Sequence, residues 1–249
     1  MQRKIRYCVA NWKMNFNSTQ SKEYLDSIRN KKLKKNNIKI IIASSFIDIA
    51  MNSKYLANNI AFAAQNVFYE DKGAYTGEIS CNMLKEINCN WVIIGHSERR
   101  AIFHEDNKII NKKLTKVINE KLRPILCIGE TEEERSQNKT LEILTSQLLT
   151  AFNGISHDKI NNIKIAYEPV WAIGTGKTAH FDIINDTHKI IRNILLKNGY
   201  NGNDIPILYG GSVNEKNAKD LAEIKNVDGF LIGGASLEVE KFYSIYSNL

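Results

Sequence analysis

Eight short apolar runs recur along this 249-residue chain, each followed by a polar segment of helical period, and this recurrence restricts the fold more than any other feature. The runs are Arg6–Ala10, Ile38–Ala43, Ala61–Gln65, Trp91–Ile94, Pro124–Ile128, Ile163–Tyr167, Ile205–Tyr209 and Gly229–Ile232. They are nearly continuous in apolar residues rather than alternating, as parallel strands covered on both faces must be. Helix starts are legible between them. Thr131 precedes Glu132-Glu133-Glu134, a cap followed by acids that suit the positive end of a helix dipole. Asp182 is expected to open a helix running to about Asn198, with Gly199 as its stop, and Ser236 with Glu238 to open the last helix. Eight βα units without a linker or low-complexity segment predict one α/β domain over residues 1–249, a closed (β/α)8 barrel. An open doubly wound sheet, which more often has five to seven strands, is the alternative.

Composition limits the partners. The chain carries 34 Lys plus Arg against 27 Asp plus Glu, a net charge of +7, which suits either a nucleic-acid surface or steering of small anions. The basic residues are spread out, and the one dense run, Lys31-Lys32-Leu33-Lys34-Lys35, reads as a solvated helix end. Cys8, Cys81, Cys89 and Cys127 form no Cys-x-x-Cys pair and no metal-ligand spacing with histidine. Cys8 and Cys127 lie in apolar runs, so buried thiols, a reducing compartment and no metal are expected. The apolar segment near the N-terminus, Tyr7 to Ala10, is too short for a signal peptide, and no run approaches membrane-spanning length. A cytoplasmic protein without membrane partners is therefore expected.

In a barrel the chemistry belongs at the C-terminal ends of the strands. Asn11, Trp12 and Lys13 follow the first run, Gly95-His96-Ser97-Glu98-Arg99-Arg100 the fourth, and Glu168 the sixth. Gly210-Gly211-Ser212 follows the seventh, and Gly233-Gly234 the eighth. Each has an ordinary structural reading: an exposed lysine, a hydrogen-bonding histidine, a tight glycine turn. Five such features at one end of one barrel point instead to a site. The glycine pairs can present backbone N–H groups to an anion, with helix-dipole support at Ala235-Ser236, so a phosphorylated substrate is expected. Glu168 is held extended by Pro169 and precedes a glycine-bearing loop, Pro169 to Ala179, the layout of a base beside a lid.

Two nucleotide-loop lookalikes in that loop fail. Gly176-Lys177-Thr178 ends like a P-loop, but the pattern needs glycine where Trp171 stands. Gly174 to Ala179 fits G-x-G-x-x-A, but it does not directly follow a strand, and Lys197-Asn198-Gly199 occupies the place of the required acid.

The motifs Asn11-Trp12-Lys13-Met14-Asn15, Gly95 to Arg100, Ala166 to Lys177, Tyr209 to Val213 and Gly233 to Leu237 stand in one family's order. Over its full length the chain resembles the triosephosphate isomerase family. The resemblance implies a homodimeric TIM barrel, without metal or organic cofactor, that interconverts dihydroxyacetone phosphate and glyceraldehyde 3-phosphate through an enediol(ate) in glycolysis and gluconeogenesis. It implies Glu168 as base, His96 as electrophile, Lys13 and Asn11 as oxyanion stabilisers, and Glu98 as a supporting residue. Gly174, Ser212, Gly233 and Gly234 are implied as phosphate donors through their main-chain N–H groups, with Asn11 and Lys13 also on the substrate. A helix starting at Ser97 is expected to keep His96 neutral. The family's lid corresponds to 169–179. Its dimer loop corresponds to 66–79, where Phe68, Tyr69 and Tyr75 argue for burial and Thr76 is implied to approach the partner's site. The segment His180 to His188 departs from the family pattern, which bears on lid closure rather than chemistry. Another phosphate-binding barrel, such as an aldolase or a synthase, would share the glycine turns. A nucleic-acid-binding protein would account for +7 but leaves the strand-end residues without a purpose.

Overall fold

A computed structural model of the chain describes residues 4–33, 35, 37–56, 60–160, 162–173 and 179–249. Eight parallel strands, β1 (Arg6–Asn11), β2 (Ile38–Ser44), β3 (Ile60–Ala64), β4 (Trp91–Ile94), β5 (Arg123–Ile128), β6 (Lys164–Tyr167), β7 (Ile207–Tyr209) and β8 (Gly229–Ile232), pair in sequence order and close into a barrel. Closure is made by β1 against β8, in the register Tyr7↔Gly229 to Ala10↔Ile232. The open-sheet alternative is thereby excluded.

The helices follow the strands around the ring. They are α1 (Ser18–Arg29), α2 (Phe46–Asn52), α3 (Cys81–Glu86), α4 (Ser97–Ala101), α5 (Asn107–Asn119) and α6 (Glu132–Ser136). α7 (Thr140–Phe152), α8 (His157–Ile160), α9 (Phe181–Lys197), α10 (Ala218–Glu223) and α11 (Val239–Asn248) complete the ring. Strand alternation splits the core in two. Val9, Ile41, Ala43, Ala63, Ile93, Ile125, Cys127, Ala166, Leu208 and Leu231 fill the barrel interior. The intervening residues, such as Ile40, Ile42, Phe62, Val92, Leu126 and Ile232, face the helices in the larger outer core. Both strand faces are thus covered, the physical reason the runs are continuously apolar. A fully buried Ile or Leu of this kind contributes roughly 1.5–3 kcal/mol.

Local signals held where the backbone could answer them. Thr131 and Glu134 form a capping box on α6, the hydroxyl accepting the Glu134 N–H at 3.2 Å and the carboxylate accepting the Thr131 N–H at 2.8 Å. Gly199, at φ +80°, follows the end of α9. Three expectations are corrected. β7 begins at Ile207 rather than Ile205, directly after Pro206, which has no N–H to give to a ladder. The last helix begins at Val239. Ser236 instead lies in a 3-10 turn, Gly234–Leu237, where its hydroxyl donates to the Gly233 carbonyl at 2.7 Å and so caps nothing downstream. The lysine run is not part of a helix end, because α1 stops at Arg29; Lys32 and Lys35 are exposed as expected, but Lys31 and Lys35 also reach α11. Lys31 pairs with Glu240 and lies over the Tyr243 ring, and Lys35 donates from Nζ to the Ser247 carbonyl at 2.7 Å. Lys34 lies outside the described residues.

All four cysteines are free and buried, and burial pushes their thiols up. Among the described residues no cluster of His, Cys, Asp and Glu could hold a metal ion, and no helix is long and apolar enough to cross a membrane.

His188 on α9 is buried, its Nδ1 bonded to the Asn226 carbonyl at 2.9 Å and its ring edge-on to Tyr167. Burial, with the Arg192 charge adding to it, lowers its pKa to about 4. Between the unfolded value of about 6.5 and that figure, the unfolded chain binds more protons than the folded one, so stability falls as pH falls through this window. The expected loss between pH 7 and pH 5 is about 2 kcal/mol from this residue alone. Urea unfolding of His188→Gln, which keeps a donor for Asn226, should show that much less acid destabilisation than the parent. An identical pH dependence in the two proteins would overturn the assignment.

Candidate active site

At the C-terminal ends of β1, β4, β6, β7 and β8 lies a cavity of about 290 Å3, lined by Asn11, Lys13, His96, Glu168, Ser212, Gly233 and Gly234 among others. Seven of the residues singled out in the sequence therefore share one concavity. Gly174 lies outside the described residues. Glu98 lines an adjoining cavity of about 460 Å3, which also reaches Asn11, Lys13 and His96. Thr76 is exposed on the 66–79 loop and lines neither.

Each side chain is aimed by local backbone geometry. Asn11 is the last residue of β1, and its Oδ1 accepts the Lys13 N–H at 3.2 Å. Lys13 has φ +53°, a left-handed conformation that an L-residue adopts only when its surroundings over-determine it. Part of that determination is Gln65, whose amide donates to the Lys13 carbonyl at 2.8 Å and to the Ala43 carbonyl at 3.0 Å. The ammonium then meets Glu98 Oε1 at 2.6 Å. Gly95 turns the chain out of β4 at φ +71°, and a Cβ there would press on Ile110, the Arg100 guanidinium and the Cys127 carbonyl at 3.1–3.3 Å. Arg100 straps the ends of β4 and β5 together, donating to the Gly95 carbonyl at 2.8 Å and the Cys127 carbonyl at 3.1 Å.

His96 takes the N-cap position of α4, and its Nδ1 accepts the Glu98 N–H at 3.2 Å. Nδ1 is thus the acceptor, and in the neutral ring the proton resides on Nε2, 3.0 Å from Glu168 Oε1. The other oxygen of Glu168 accepts the Ser97 N–H at 2.9 Å. Glu168 is only 2% exposed. Burial alone would push its carboxyl up, but the His96 ring, the Ser97 N–H and Lys13 outweigh burial and hold it below the ordinary value, so it is a carboxylate at neutral pH. For His96 burial opposes the charged ring, and the adjacent Glu168 carboxylate outweighs burial and raises its pKa. The helix N-terminus by itself favours a neutral ring. The structure adds a carboxylate that pulls the other way for as long as the two side chains touch.

The remaining wall is backbone. Ser212 donates from Oγ to the Ala172 carbonyl at 2.8 Å, tying the turn after β7 to the single 3-10 turn Val170–Ala172 that opens the 169–179 loop. Gly233 and Gly234 bracket the cavity beside Lys13, whose Cε lies 3.7 Å from where a Gly233 Cβ would stand.

Three supporting residues escaped the sequence reading. Gln65 appeared only as the end of a strand. Gly129 packs so closely against the backbone at Glu168 that a Cβ would fall 1.7 Å from the Glu168 carbonyl oxygen. Glu130 is buried beneath the loop entry and accepts from Tyr167 Oη at 2.9 Å, Arg135 at 2.9 Å and Trp171 Nε1 at 3.4 Å. Gly129-Glu130, directly after an apolar run, was the available signal. Nothing in the residue types distinguished it from an ordinary turn.

Comparison with known proteins agrees with this architecture. The family model for triosephosphate isomerase matches residues 6–249. Triosephosphate isomerase of Francisella tularensis subsp. mediasiatica (strain FSC147) is 41% identical over 238 residues, covering 95% of this chain and 94% of that protein. Those of Alkaliphilus oremlandii (strain OhILAs) and Fusobacterium nucleatum subsp. nucleatum are each 42% identical, covering 95% of this chain and 96% of the relative. With a match to almost the whole chain and relatives at this identity, the chain belongs to the triosephosphate isomerase family, a family of isomerase enzymes.

Proposed function

We propose that the chain interconverts dihydroxyacetone phosphate and D-glyceraldehyde 3-phosphate by proton transfer through an enediol(ate), with Glu168 as the base and His96, Lys13 and Asn11 as its electrostatic partners. The observation that carries this reading is the meeting of a buried carboxylate, an imidazole, an ammonium and two glycine turns in one small cavity. An acidic C–H beside a carbonyl needs a base on carbon and a donor on oxygen at once. Glu168 supplies the first and His96 Nε2–H the second. Lys13 contributes fixed positive charge and Asn11 a hydrogen bond to the developing oxyanion. These are the acid–base roles that the family resemblance implies at these positions.

Both oxygens of Glu168 are engaged, one by Ser97 and one by His96. Substrate arrival therefore exchanges partners: the carboxylate releases these contacts to face carbon, and the imidazole turns its proton to the carbonyl. Without the carboxylate, burial and the helix N-terminus both favour the neutral ring. Glu98 steadies Lys13. Main-chain N–H groups of Ser212, Gly233, Gly234 and Gly174 grip the phosphate, and the 169–179 loop closes over it, as the family resemblance implies. No observation favours an aldolase or synthase reading.

The chain is proposed to act as a cytoplasmic homodimer needing no cofactor. Exposed apolar side chains support the dimer: Met14 is 97% exposed and Phe103 60%, and both line the 460 Å3 cavity beside the site. The 66–79 loop supports it too. Phe68 stacks on Tyr69 at 4.2 Å and meets Tyr75 at 4.6 Å, so its aromatics make the loop a shaped projection. A second copy inserting that loop beside Asn11 and Lys13 would bring Thr76 to the site.

Three outcomes are expected. Glu168→Gln retains the fold and lowers isomerisation in a coupled triose-phosphate assay by at least the roughly 10²–10⁴-fold of a lost general base; near-parental turnover would refute the assignment. In the same variant, nitrogen NMR should find the His96 pKa below that of the parent protein, because the largest of the influences that raise it is gone. A pKa unchanged or higher would show that Glu168 does not govern the ring. Light scattering at assay concentration should report a dimer, and a fully active monomer would sink the dimer proposal.

A further inference from the structure

A separate concavity, of about 590 Å3, lies at the opposite end of the barrel, and none of the catalytic candidates line it. It is formed where the strands begin, by Tyr7, Lys39, Trp91, Arg123 and Lys164, with Lys121 and Lys159 on the rim. Strand alternation turns Lys39, Arg123 and Lys164 toward the barrel axis, two residues before the interior side chains Ile41, Ile125 and Ala166. Five cationic residues line the cavity and no Asp or Glu does.

Among the described residues these cations have no acidic counterpart. None of the five makes an ion pair with a carboxylate among the described residues. Asp228, whose charge reaches Tyr7, is already held by Arg192 at 2.7 Å and Lys4 at 2.8 Å. Lys164 is half-buried, and its hydrogen bond goes to the Asn162 carbonyl at 2.9 Å. Its ammonium lies 5.5 Å from the Tyr7 ring centre and 5.4 Å from that of Trp91, and the Arg123 guanidinium lies 5.4 Å from the same Trp91 ring. Cation–π contact eases the desolvation of each cation but does nothing about their mutual repulsion. Consistent with that, burial and the Arg123 charge together lower the Lys164 pKa to about 8. Like charges collected in a concavity focus an attractive field on anions. The wall also carries apolar surface, from Ile5, Ile118, Leu122 and Pro124. A ligand with several negative charges and an organic part matches both halves, and the volume falls within the roughly 300–1,000 Å3 of small-molecule sites.

We propose that this cavity binds a small organic polyphosphate anion, of the size and charge of a nucleoside triphosphate, at the barrel end opposite the isomerase site. The phosphates lie among Lys39, Arg123 and Lys164, and the organic part rests on the apolar wall.

The test is calorimetric titration with ATP and, separately, with inorganic tripolyphosphate, at two salt concentrations and without added metal, on the parent protein, Lys164→Met, Arg123→Gln and the rim variant Lys121→Gln. Saturable one-to-one binding of ATP is expected, tighter than tripolyphosphate and weakened by salt. About tenfold or greater loss is expected in Lys164→Met and Arg123→Gln, the effect of removing a hydrogen bond to a charged group, with isomerase turnover unchanged. ATP should raise the melting temperature of the parent but not of Lys164→Met. If either interior variant fails to fold, weaker ATP binding by the exposed-site variant Lys121→Gln still supports the proposal. No saturation with ATP, equal affinity in all variants, tripolyphosphate binding as tightly as ATP, or a single-stranded RNA oligomer binding tighter than ATP would each overturn it.

Discussion

Everything at the site depends on the pairing of β1 with β8. That ladder, Tyr7↔Gly229 through Ala10↔Ile232, turns a run of parallel strands into a ring. Once the ring is closed, strands far apart in sequence must end around one axis. Asn11 and Gly233 become neighbours although the whole chain separates them, and His96 comes within 3.0 Å of Glu168. Interior side chains from all eight strands sustain the closure, and a packed interior resists relaxation, so the strand ends stay in place. Closure also removes sheet edges, which an open sheet would have to protect.

On that frame, conformationally restricted residues give the site its aim. Lys13 adopts a positive φ, Gly95 turns out of β4 where a side chain would strain against three neighbours, and Gly129 lets the backbone approach Glu168. Hydrogen bonds from Gln65 and Arg100 to main-chain carbonyls oppose any relaxation of these turns. The polar side chains at the site are already partnered. Lys13 pairs with Glu98, and Glu168 with Ser97 and His96, so under the proposed mechanism a substrate would replace existing contacts instead of finding bare charges. Rigid backbone with replaceable side-chain partners is a workable definition of a preorganised site.

The two ends of the barrel differ electrostatically. At the strand C-termini Lys13 meets the Glu98 carboxylate, whereas at the strand N-termini Lys39, Arg123 and Lys164 converge without one among the described residues. In the sequence these three looked like scattered members of a +7 surplus. Lys39 and Lys164 stand inside the otherwise apolar runs Ile38–Ala43 and Ile163–Tyr167. The barrel interior makes neighbours of residues that no local pattern associates. The lysine run at 31–35 shows the same limit, since nothing in its density reveals that Lys31 lies over Tyr243 of α11 or that the Lys35 N–H donates to Tyr246.

What the sequence by itself determined was the kind of fold, the strand positions to within a residue or two, and the residue types at the C-terminal strand ends. Those signals are local: apolar runs, caps, glycine turns and motifs read within a dozen residues. Tertiary structure alone decided the partners. It showed Glu168 occupied by Ser97 and His96, made Gln65, Gly129 and Glu130 supports of the site, and gathered unpaired cations at the other end. The physical reason is that burial and charge act through space. A hydrogen bond, a desolvated lysine or a missing Cβ acquires meaning only from atoms that ring closure brings near.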